Sequence, residues 1–169
     1  MTKILTNSGL WFDFLDPQPD QICLHDIAHA LSRICRYGGH TYQHYSVAQH
    51  SLLVASLLVD ESPLIRQHGL LHDAPEAYTG DIVSPLKALL NIEEHEQRAQ
   101  DCIFRALSVP SISPKQAKLV HEADYQAYLL ERNAGLTAWP SDGSKIHIMS
   151  YQESYTEFTK LMLKLQDEI

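Results

Sequence analysis

The stretch Gly69-Leu70-Leu71-His72-Asp73-Ala74-Pro75-Glu76-Ala77-Tyr78-Thr79-Gly80-Asp81 carries the strongest chemical signal in this sequence. It sets an imidazole and a carboxylate side by side, directly after a leucine pair of the kind that is normally buried. If residues 63–78 form one helix, Glu76 lies four residues beyond His72 and three beyond Asp73, so all three share a face. Burying unpaired polar groups costs roughly 1–3 kcal/mol each. The stretch therefore predicts a polar site beside the core; the alternative is the ordinary polar end of a surface helix.

The composition is typical of a single globular domain. The chain has 169 residues, 44% hydrophobic and 20% charged, which is long enough to bury about two-thirds of its unfolded surface. A net charge of −8 argues against a broad surface for extended nucleic acid or an anionic membrane, but not against a small phosphate ligand. No apolar run reaches the roughly 18 residues of a membrane helix, and the N-terminus has no signal pattern. Three scattered cysteines indicate a reduced, cytoplasmic setting: Cys23, Cys35 and Cys102.

Apolar spacing and helix-start signals predict an all-α fold of six or seven helices, with no convincing strand. The clearest start signals are serines that precede a helical pattern, often with Glu or Gln three residues later: Ser46, Ser62, Ser113 and Ser150. The predicted helices span approximately residues 27–37, 46–59, 63–78, 82–90, 91–107, 114–133 and 150–165.

The first 25 residues are expected to form an irregular arm, since Asp16-Pro17-Gln18-Pro19-Asp20 interrupts regular structure. Its aromatic side chains are expected to pin it to the body: Trp11, Phe12 and Phe14. A second His-Asp dipeptide, His25-Asp26, follows. Asp26 is predicted to cap a helix beginning at Ile27, so this pair is interpreted as cap chemistry rather than as part of a site.

Two more polar residues fall on predicted apolar stripes. His50 aligns with Val54 and Leu57 on one helix, and Asp124 lies between Val120 and Ala127 on another. Taken singly, His50 could be a hydrogen-bonded core histidine. Asp124 could pair with an arginine, Arg33 or Arg66, or could face solvent. Taken with the His72-Asp73 pair, they make a set of two nitrogen and two oxygen ligands that one borderline divalent transition metal would satisfy.

The order His50 … His72-Asp73 … Asp124 resembles the HD-domain superfamily of metal-dependent phosphohydrolases. Three further features look like its bacterial 5′-deoxynucleotidase branch: Arg36 ahead of Ser46-Val47-Ala48-Gln49-His50, the run from His72 to Asp81 with Pro85 and Lys87 after it, and Ala123-Asp124-Tyr125-Gln126-Ala127-Tyr128. The similarity covers roughly residues 27–135. It implies an HD core over residues 27–135. With 1–26 as the arm and 136–169 as a loop and C-terminal helix, the whole chain, residues 1–169, is expected to form one compact HD-type helical bundle.

The resemblance implies a role for each matching residue. The four residues of the ordered pattern would hold one divalent ion, manganese, cobalt, nickel, iron or zinc, and Glu76 would handle protons as the catalytic residue. Residues expected at the substrate are Arg36 at the phosphate, Asp81 at a sugar hydroxyl, and Tyr37, Thr79 and Lys87 nearby. The branch commonly has tryptophan after its arginine, where this chain has Tyr37, so the resemblance leaves the choice between deoxyribose and ribose open.

The implied function is hydrolysis of a (deoxy)nucleoside 5′-monophosphate by a water activated on the metal. The alternatives are an HD-type nucleotide tri- or pyrophosphohydrolase or cyclic-nucleotide phosphodiesterase, and a non-catalytic HD scaffold that binds a nucleotide or a protein. The expected partner is a small phosphorylated molecule, with neither extended nucleic acid nor membrane. The apolar face of the last predicted helix either closes the core or mediates a homodimer.

Overall fold

The computed structural model describes residues 2–169 and has eight α-helices and one two-stranded antiparallel sheet. The all-α prediction is confirmed, since the strands contain three residues each. The strands are β1 Lys3–Leu5 and β2 Trp11–Asp13; the helices are α1 Leu24–Leu31, α2 Val47–Leu57, α3 Pro63–Leu71, α4 Glu76–Thr79, α5 Ser84–Lys87, α6 Glu93–Ala106, α7 Pro114–Asn133 and α8 Tyr151–Asp167. No helix among residues 2–169 combines the length and apolarity needed to cross a bilayer.

The arm is more regular than predicted, because residues 3–13 form a hairpin. Gly9 has a φ of +85° in the connection between the strands, a conformation that glycine adopts at little cost. Of the predicted aromatic anchors, Phe12 is buried and stacks on Tyr78 with ring centroids 3.9 Å apart, and Phe14 packs against the same cluster. Trp11 is half exposed and is not an anchor.

The predicted serine caps are confirmed. The hydroxyl oxygens of Ser46, Ser62, Ser113 and Ser150 each accept a hydrogen bond from the backbone N–H three residues later. Each bond satisfies one of the N–H groups that a helix start leaves without an intrahelical partner. These four caps set the start of the helices that carry most of the core.

The prediction of one helix over residues 63–78 is wrong. Helix α3 ends at Leu71, and α4 begins at Glu76 after tight turns in which the N–H of Ala74 donates to Leu71 O (3.0 Å) and that of Glu76 to Asp73 O (3.0 Å). Pro75 has no N–H to continue the α-helical ladder. The His-Asp pair therefore lies on a turn between two helices, where the chain changes direction.

Asp26 is not the predicted cap. Helix α1 begins at Leu24, so Asp26 is already inside it, and its buried carboxylate accepts hydrogen bonds from Ser8 N (2.8 Å) and Ser8 Oγ (2.5 Å). The neighbouring His25 faces Tyr155, with Nδ1 2.9 Å from the hydroxyl oxygen. This second His-Asp pair thus ties the hairpin and the last helix to α1.

The core lies between α1, α2, α3, α7 and α8. One cluster contains Leu70 and Leu71 together with Phe158 and Met162 of α8, all fully buried. The apolar face of α8 therefore closes the core of this chain, which was one of its two predicted uses. The homodimer stays a prediction.

Replacing Asp26 by asparagine is expected to lower the free energy of unfolding by about 1–2 kcal/mol, because hydrogen bonds to a charged acceptor are worth roughly 1.5–3 kcal/mol and the amide keeps part of them. Urea denaturation of Asp26→Asn measures the change. Metal binding should match that of the parent protein. An Asp26→Asn protein with full stability would show that the carboxylate does not hold the hairpin.

Candidate metal centre

Four side chains from three parts of the chain meet at one position. His50 lies in the first turn of α2, His72 and Asp73 follow the end of α3, and Asp124 lies in the middle of α7. His50 Nε2 is 3.3 Å from His72 Nε2 and 3.0 Å from Asp124 Oδ1. Asp73 Oδ2 is 3.1 Å from His72 Nε2 and 3.7 Å from His50 Nε2. The predicted ligand set is brought together, and Asp124 neither pairs with an arginine nor stands apart.

The separations among His50, His72 and Asp73 fit one divalent cation, and Asp124 lies beside them. Ligand atoms about 2.0–2.2 Å from a metal lie roughly 3.0–3.6 Å from one another. Donor atoms of His50, His72 and Asp73 all fall within 4.8 Å of one another, and Asp124 Oδ1 lies 3.6 Å from His72 Nε2 as well as beside His50. A mixture of imidazole nitrogen and carboxylate oxygen suits manganese, iron, cobalt, nickel or zinc better than calcium or magnesium.

In both histidines Nδ1 has a hydrogen-bond partner, and this contact turns Nε2 toward the shared position. His72 Nδ1 lies 2.8 Å from the carbonyl oxygen of Gly69, and His50 Nδ1 lies 2.6 Å from Glu131 Oε1. With Nδ1–H donating to these acceptors, each Nε2 keeps its lone pair for a metal. Gly69 also lets α3 approach α2, since an added Cβ would lie 2.5 Å from Leu58 Cδ1.

The electrostatics of the cluster favour a bound cation. Burial works against charge on His72, but the carboxylates of Asp73 and Asp124 raise its pKa to about 10. Burial would raise the pKa of both carboxyls; the adjacent imidazoles, with Arg36 beside Asp73, hold each pKa well below its usual range instead. The two carboxylates therefore attract positive charge to this position, a charge that a divalent metal would supply.

Glu131 is a site residue that the sequence analysis missed. Its carboxylate is fully buried and binds three neighbours: His50 Nδ1, the Tyr37 hydroxyl (2.5 Å to Oε2) and Arg36 Nε (3.4 Å to Oε2). Burial raises its pKa, but His50, Arg36 and Tyr37 together outweigh burial, and the pKa is lowered overall. A signal was present, because Glu131 lies seven residues beyond Asp124 and so on the same face of α7.

Glu76 is buried and lies beside the cluster. Lys87 Nζ donates to its Oε1 (3.2 Å), whereas Oε2 has no hydrogen-bond partner among residues 2–169. Burial, together with the negative charges of Asp73 and Asp81, raises the Glu76 pKa to about 8 despite Lys87. Lys87 also contacts Glu96 (3.0 Å). Glu76 thus has the properties of a carboxylic acid that keeps its proton near neutral pH.

Arg36 and Tyr37 connect the cluster to the predicted substrate contacts. Arg36 Nη1 lies 3.5 Å from Asp73 Oδ2. Tyr37 has a φ of +59°, a left-handed conformation that is uncommon outside glycine, and its N–H donates to Asp81 Oδ2 (3.1 Å). This bond holds the loop after α1 against the segment after α4. Strained backbone of this kind is concentrated at functional sites.

A cavity of about 510 Å³ adjoins the cluster, within the size range of small-molecule sites. Its walls include most of the predicted site residues, together with a tyrosine and a tryptophan that were not predicted: Arg36, Tyr37, Asp73, Glu76, Asp81, Lys87, Asp124, Tyr128 and Trp139. Thr79 is not part of the lining; its hydroxyl lies 3.4 Å from the carbonyl oxygen of Pro75 and 3.3 Å from that of Gly80. His25 lies elsewhere, beside Tyr155.

Removing the charge of Glu131 is expected to weaken metal binding about 10- to 100-fold, the usual effect of losing the group that orients a histidine ligand. Isothermal titration of Glu131→Gln with Mn²⁺ and Zn²⁺ measures it. Glu122→Gln is the matched control, since Glu122 is on the same helix but exposed and paired with Lys118. Unchanged affinity in Glu131→Gln would mean that this carboxylate does not orient His50.

Comparison with known proteins agrees with this geometry. The family model described as "HD domain" matches residues 37–156, more than half of the chain. The uncharacterized protein YfdR of Escherichia coli (strain K12) is 41% identical over 105 residues, which are 62% of this chain and 57% of that protein. An uncharacterized protein of Rhodobacter capsulatus is 39% identical over 119 residues, 66% of this chain and 61% of that protein. The chain thus spans about three-fifths of the length of these relatives.

HD domains bind divalent metals, and the cluster of His50, His72 and Asp73 has the donor atoms to hold one. The match, the order of the four residues and their convergence in space agree with one another. The chain belongs to the HD-domain family.

Proposed function

We propose that this protein is a metal-dependent phosphomonoesterase that releases phosphate from nucleoside 5′-monophosphates, with a deoxynucleotide as the expected substrate, as in the 5′-deoxynucleotidase branch. The observation that supports it most is the convergence of His50, His72, Asp73 and Asp124, of which the two carboxylates line a cavity that also contains Arg36 and Glu76. A metal site, a fixed cation and a carboxylic acid are the groups that phosphate ester hydrolysis requires.

A divalent ion held by the two imidazoles and two carboxylates would supply Lewis acidity, which lowers the pKa of a water and withdraws charge from phosphoryl oxygens. The other groups belong to the chain itself. Arg36 is fixed by Asp73 and Glu131, and its remaining N–H groups would hold a phosphate oxygen. Because its position is set before the substrate binds, it would stabilise developing charge without reorganising.

Glu76 is proposed as the acid that protonates the leaving sugar oxygen. Glu76 lines the cavity, and its Oε2 is buried and free of hydrogen bonds within the described chain. Since its pKa of about 8 keeps it largely protonated at neutral pH, it is better suited to donate a proton than to take one from water. The Lys87 contact at Oε1 would keep the side chain oriented and leave Oε2 to carry the proton.

The sugar would lie between the Arg36 loop and Asp81. Asp81 Oδ2 accepts the Tyr37 N–H, which leaves Oδ1 to accept a bond from a sugar hydroxyl. The Tyr37 hydroxyl is bound to Glu131, so this side chain is fixed and would limit the space at the sugar. We infer from this restraint that Tyr37 acts in the position where the related branch has tryptophan.

A monophosphate fits the charges better than a polyphosphate does. The cationic side chains in the cavity wall are Arg36 and Lys87. Both already contact two carboxylates each. A triphosphate would need further cations, because each phosphate group brings negative charge into a site whose own net charge is negative without metal.

The test is phosphate release from a panel of deoxy- and ribonucleoside 5′-monophosphates, with the protein loaded with manganese, cobalt, nickel, iron or zinc and its metal content measured. Turnover of monophosphates is expected. Nucleoside triphosphates and a cyclic dinucleotide are included, since release of tripolyphosphate, pyrophosphate or a linear product would support the alternative reactions instead. Loaded protein with no turnover on any substrate would favour a binding scaffold and overturn the proposal.

Asp73→Asn is expected to lose most metal binding and at least about 100-fold in activity, because it removes an anionic ligand while keeping the shape of the side chain. Metal analysis after dialysis and phosphate release measure both. His25→Ala is the control from the other His-Asp pair and should keep its metal and its activity. An inactive but folded His25→Ala protein would mean that the reaction depends on the His25-Asp26 pair and not on His72-Asp73 alone.

Glu76→Gln should retain metal but lower kcat by about 10²–10⁴-fold, the usual contribution of a positioned acid or base. Phosphate release at saturating substrate measures kcat.

The same substitution should also change how the free energy of unfolding depends on pH. In the folded protein the pKa of about 8 lies above the ordinary 4.5, so between these values the folded state binds a proton that the unfolded state has lost, and stability falls as pH rises. Thermal unfolding between pH 5 and pH 9 should show a smaller fall in Glu76→Gln.

A further inference from the structure

The cavity beside the metal centre has two kinds of wall. Arg36, Asp73, Glu76, Asp81, Lys87 and Asp124 supply charge. Apart from Ser84, the rest of the lining is apolar or aromatic and forms what we call the apolar wall: Tyr37, Ile82, Val83, Pro85, Tyr128 and Trp139. Phosphate and sugar chemistry account for the charged groups only. The apolar wall favours a substrate that also carries an apolar or aromatic group.

Helix α7 orders these groups along one face. Asp124, Tyr128 and Arg132 are spaced by four residues, so each lies about 6 Å further along the helix axis. The Arg132 guanidinium carbon is 4.4 Å from the centroid of the Trp139 ring. Asp124 therefore lies at the metal end of this face, Tyr128 one turn further, and Arg132 a further turn on. Trp139, which follows α7 in the chain, is stacked on Arg132.

Trp139 is not a core residue, since 53% of it is exposed. It is nevertheless held in place. Arg132 covers its ring, and the segment that follows is bound to the end of α7, where Asn133 O accepts hydrogen bonds from Ser141 Oγ (2.8 Å) and Asp142 N (3.0 Å). A large aromatic side chain that is exposed at a cavity and held by a cation–π contact suits binding better than packing.

We propose that Trp139, with Tyr128 beside it, is the stacking platform for the nucleobase of the substrate, an inference that rests on the proposed function. The phosphate lies at the metal end, and the base lies further along α7. A purine or pyrimidine ring has the flat, polarisable face that aromatic side chains bind without regard to base identity. A sugar phosphate has only hydroxyl groups to present to this wall, and an apolar wall leaves them without hydrogen bonds.

Trp139→Ala is expected to raise KM for deoxynucleoside 5′-monophosphates about 5- to 150-fold, the loss that corresponds to one stacked base. Because the interaction is made equally before and during the reaction, kcat should stay within about twofold. KM for deoxyribose 5-phosphate, which has no base, should not change. Trp139→Phe keeps an aromatic face and should recover most of the affinity.

Trp11→Ala is the matched control. Trp11 is also half exposed but lies on the hairpin strand β2, so its removal should leave KM unchanged for both substrates. An unchanged nucleotide KM in Trp139→Ala would overturn the platform while leaving the hydrolase intact. An equal rise in KM for the nucleotide and for deoxyribose 5-phosphate would overturn it too, since that pattern reports a general disturbance of the cavity.

Measuring ligand affinity tests the role of Trp139 independently of whether the protein hydrolyses monophosphates. Calorimetric titration in the Glu76→Gln background, with deoxyadenosine 5′-monophosphate and with deoxyribose 5-phosphate, measures affinity without turnover. A loss of nucleotide affinity on Trp139→Ala, with sugar phosphate affinity unchanged, supports the platform even if no monophosphate is hydrolysed. Equal nucleotide affinity with and without Trp139 overturns it whether or not phosphate is released.

Discussion

The orientation of one fully buried imidazole, that of His50, is the constraint on which the site depends. Its Nδ1 contacts the buried carboxylate of Glu131, and its Nε2 faces His72 and Asp124. A buried histidine without partners on both sides would leave a polar atom unsatisfied, which costs on the order of 1–3 kcal/mol. Here the acceptor on one side determines which nitrogen is available on the other, so the carboxylate of Glu131 orients the nitrogen that would bind a metal.

The same carboxylate organises the substrate side. Glu131 also binds the Tyr37 hydroxyl and Arg36, and Arg36 in turn contacts Asp73. A single buried network therefore runs from a metal ligand to the groups proposed for phosphate and sugar. Hydrogen bonds and ion pairs are stronger in a buried, low-dielectric setting, so they hold these side chains in one arrangement. This explains how a loop with strained backbone at Tyr37 can be kept in position.

The features predicted correctly from the sequence are those set by residues close together in the chain. The serine caps were predicted correctly because the hydroxyl and the N–H that it binds are three residues apart. Prediction failed where a distant partner decides. The capping role of Asp26 was wrong because Ser8 binds its carboxylate. The continuous helix over residues 63–78 was wrong for a different, local reason, since Pro75 has no N–H to continue the α-helical ladder.

The amino-acid sequence by itself determined the helical class, the order of the four metal-site residues and their membership of one family pattern, because periodicity, caps and motif spacing are properties of neighbouring residues. Only the tertiary structure decided that Glu131 belongs with them, that Lys87 is held between Glu76 and Glu96, and that Trp139 lies at the same cavity as Asp124. The physical reason is that burial, charge and hydrogen bonding act between groups that are near in space, and the spacing of residues along a chain does not contain those distances.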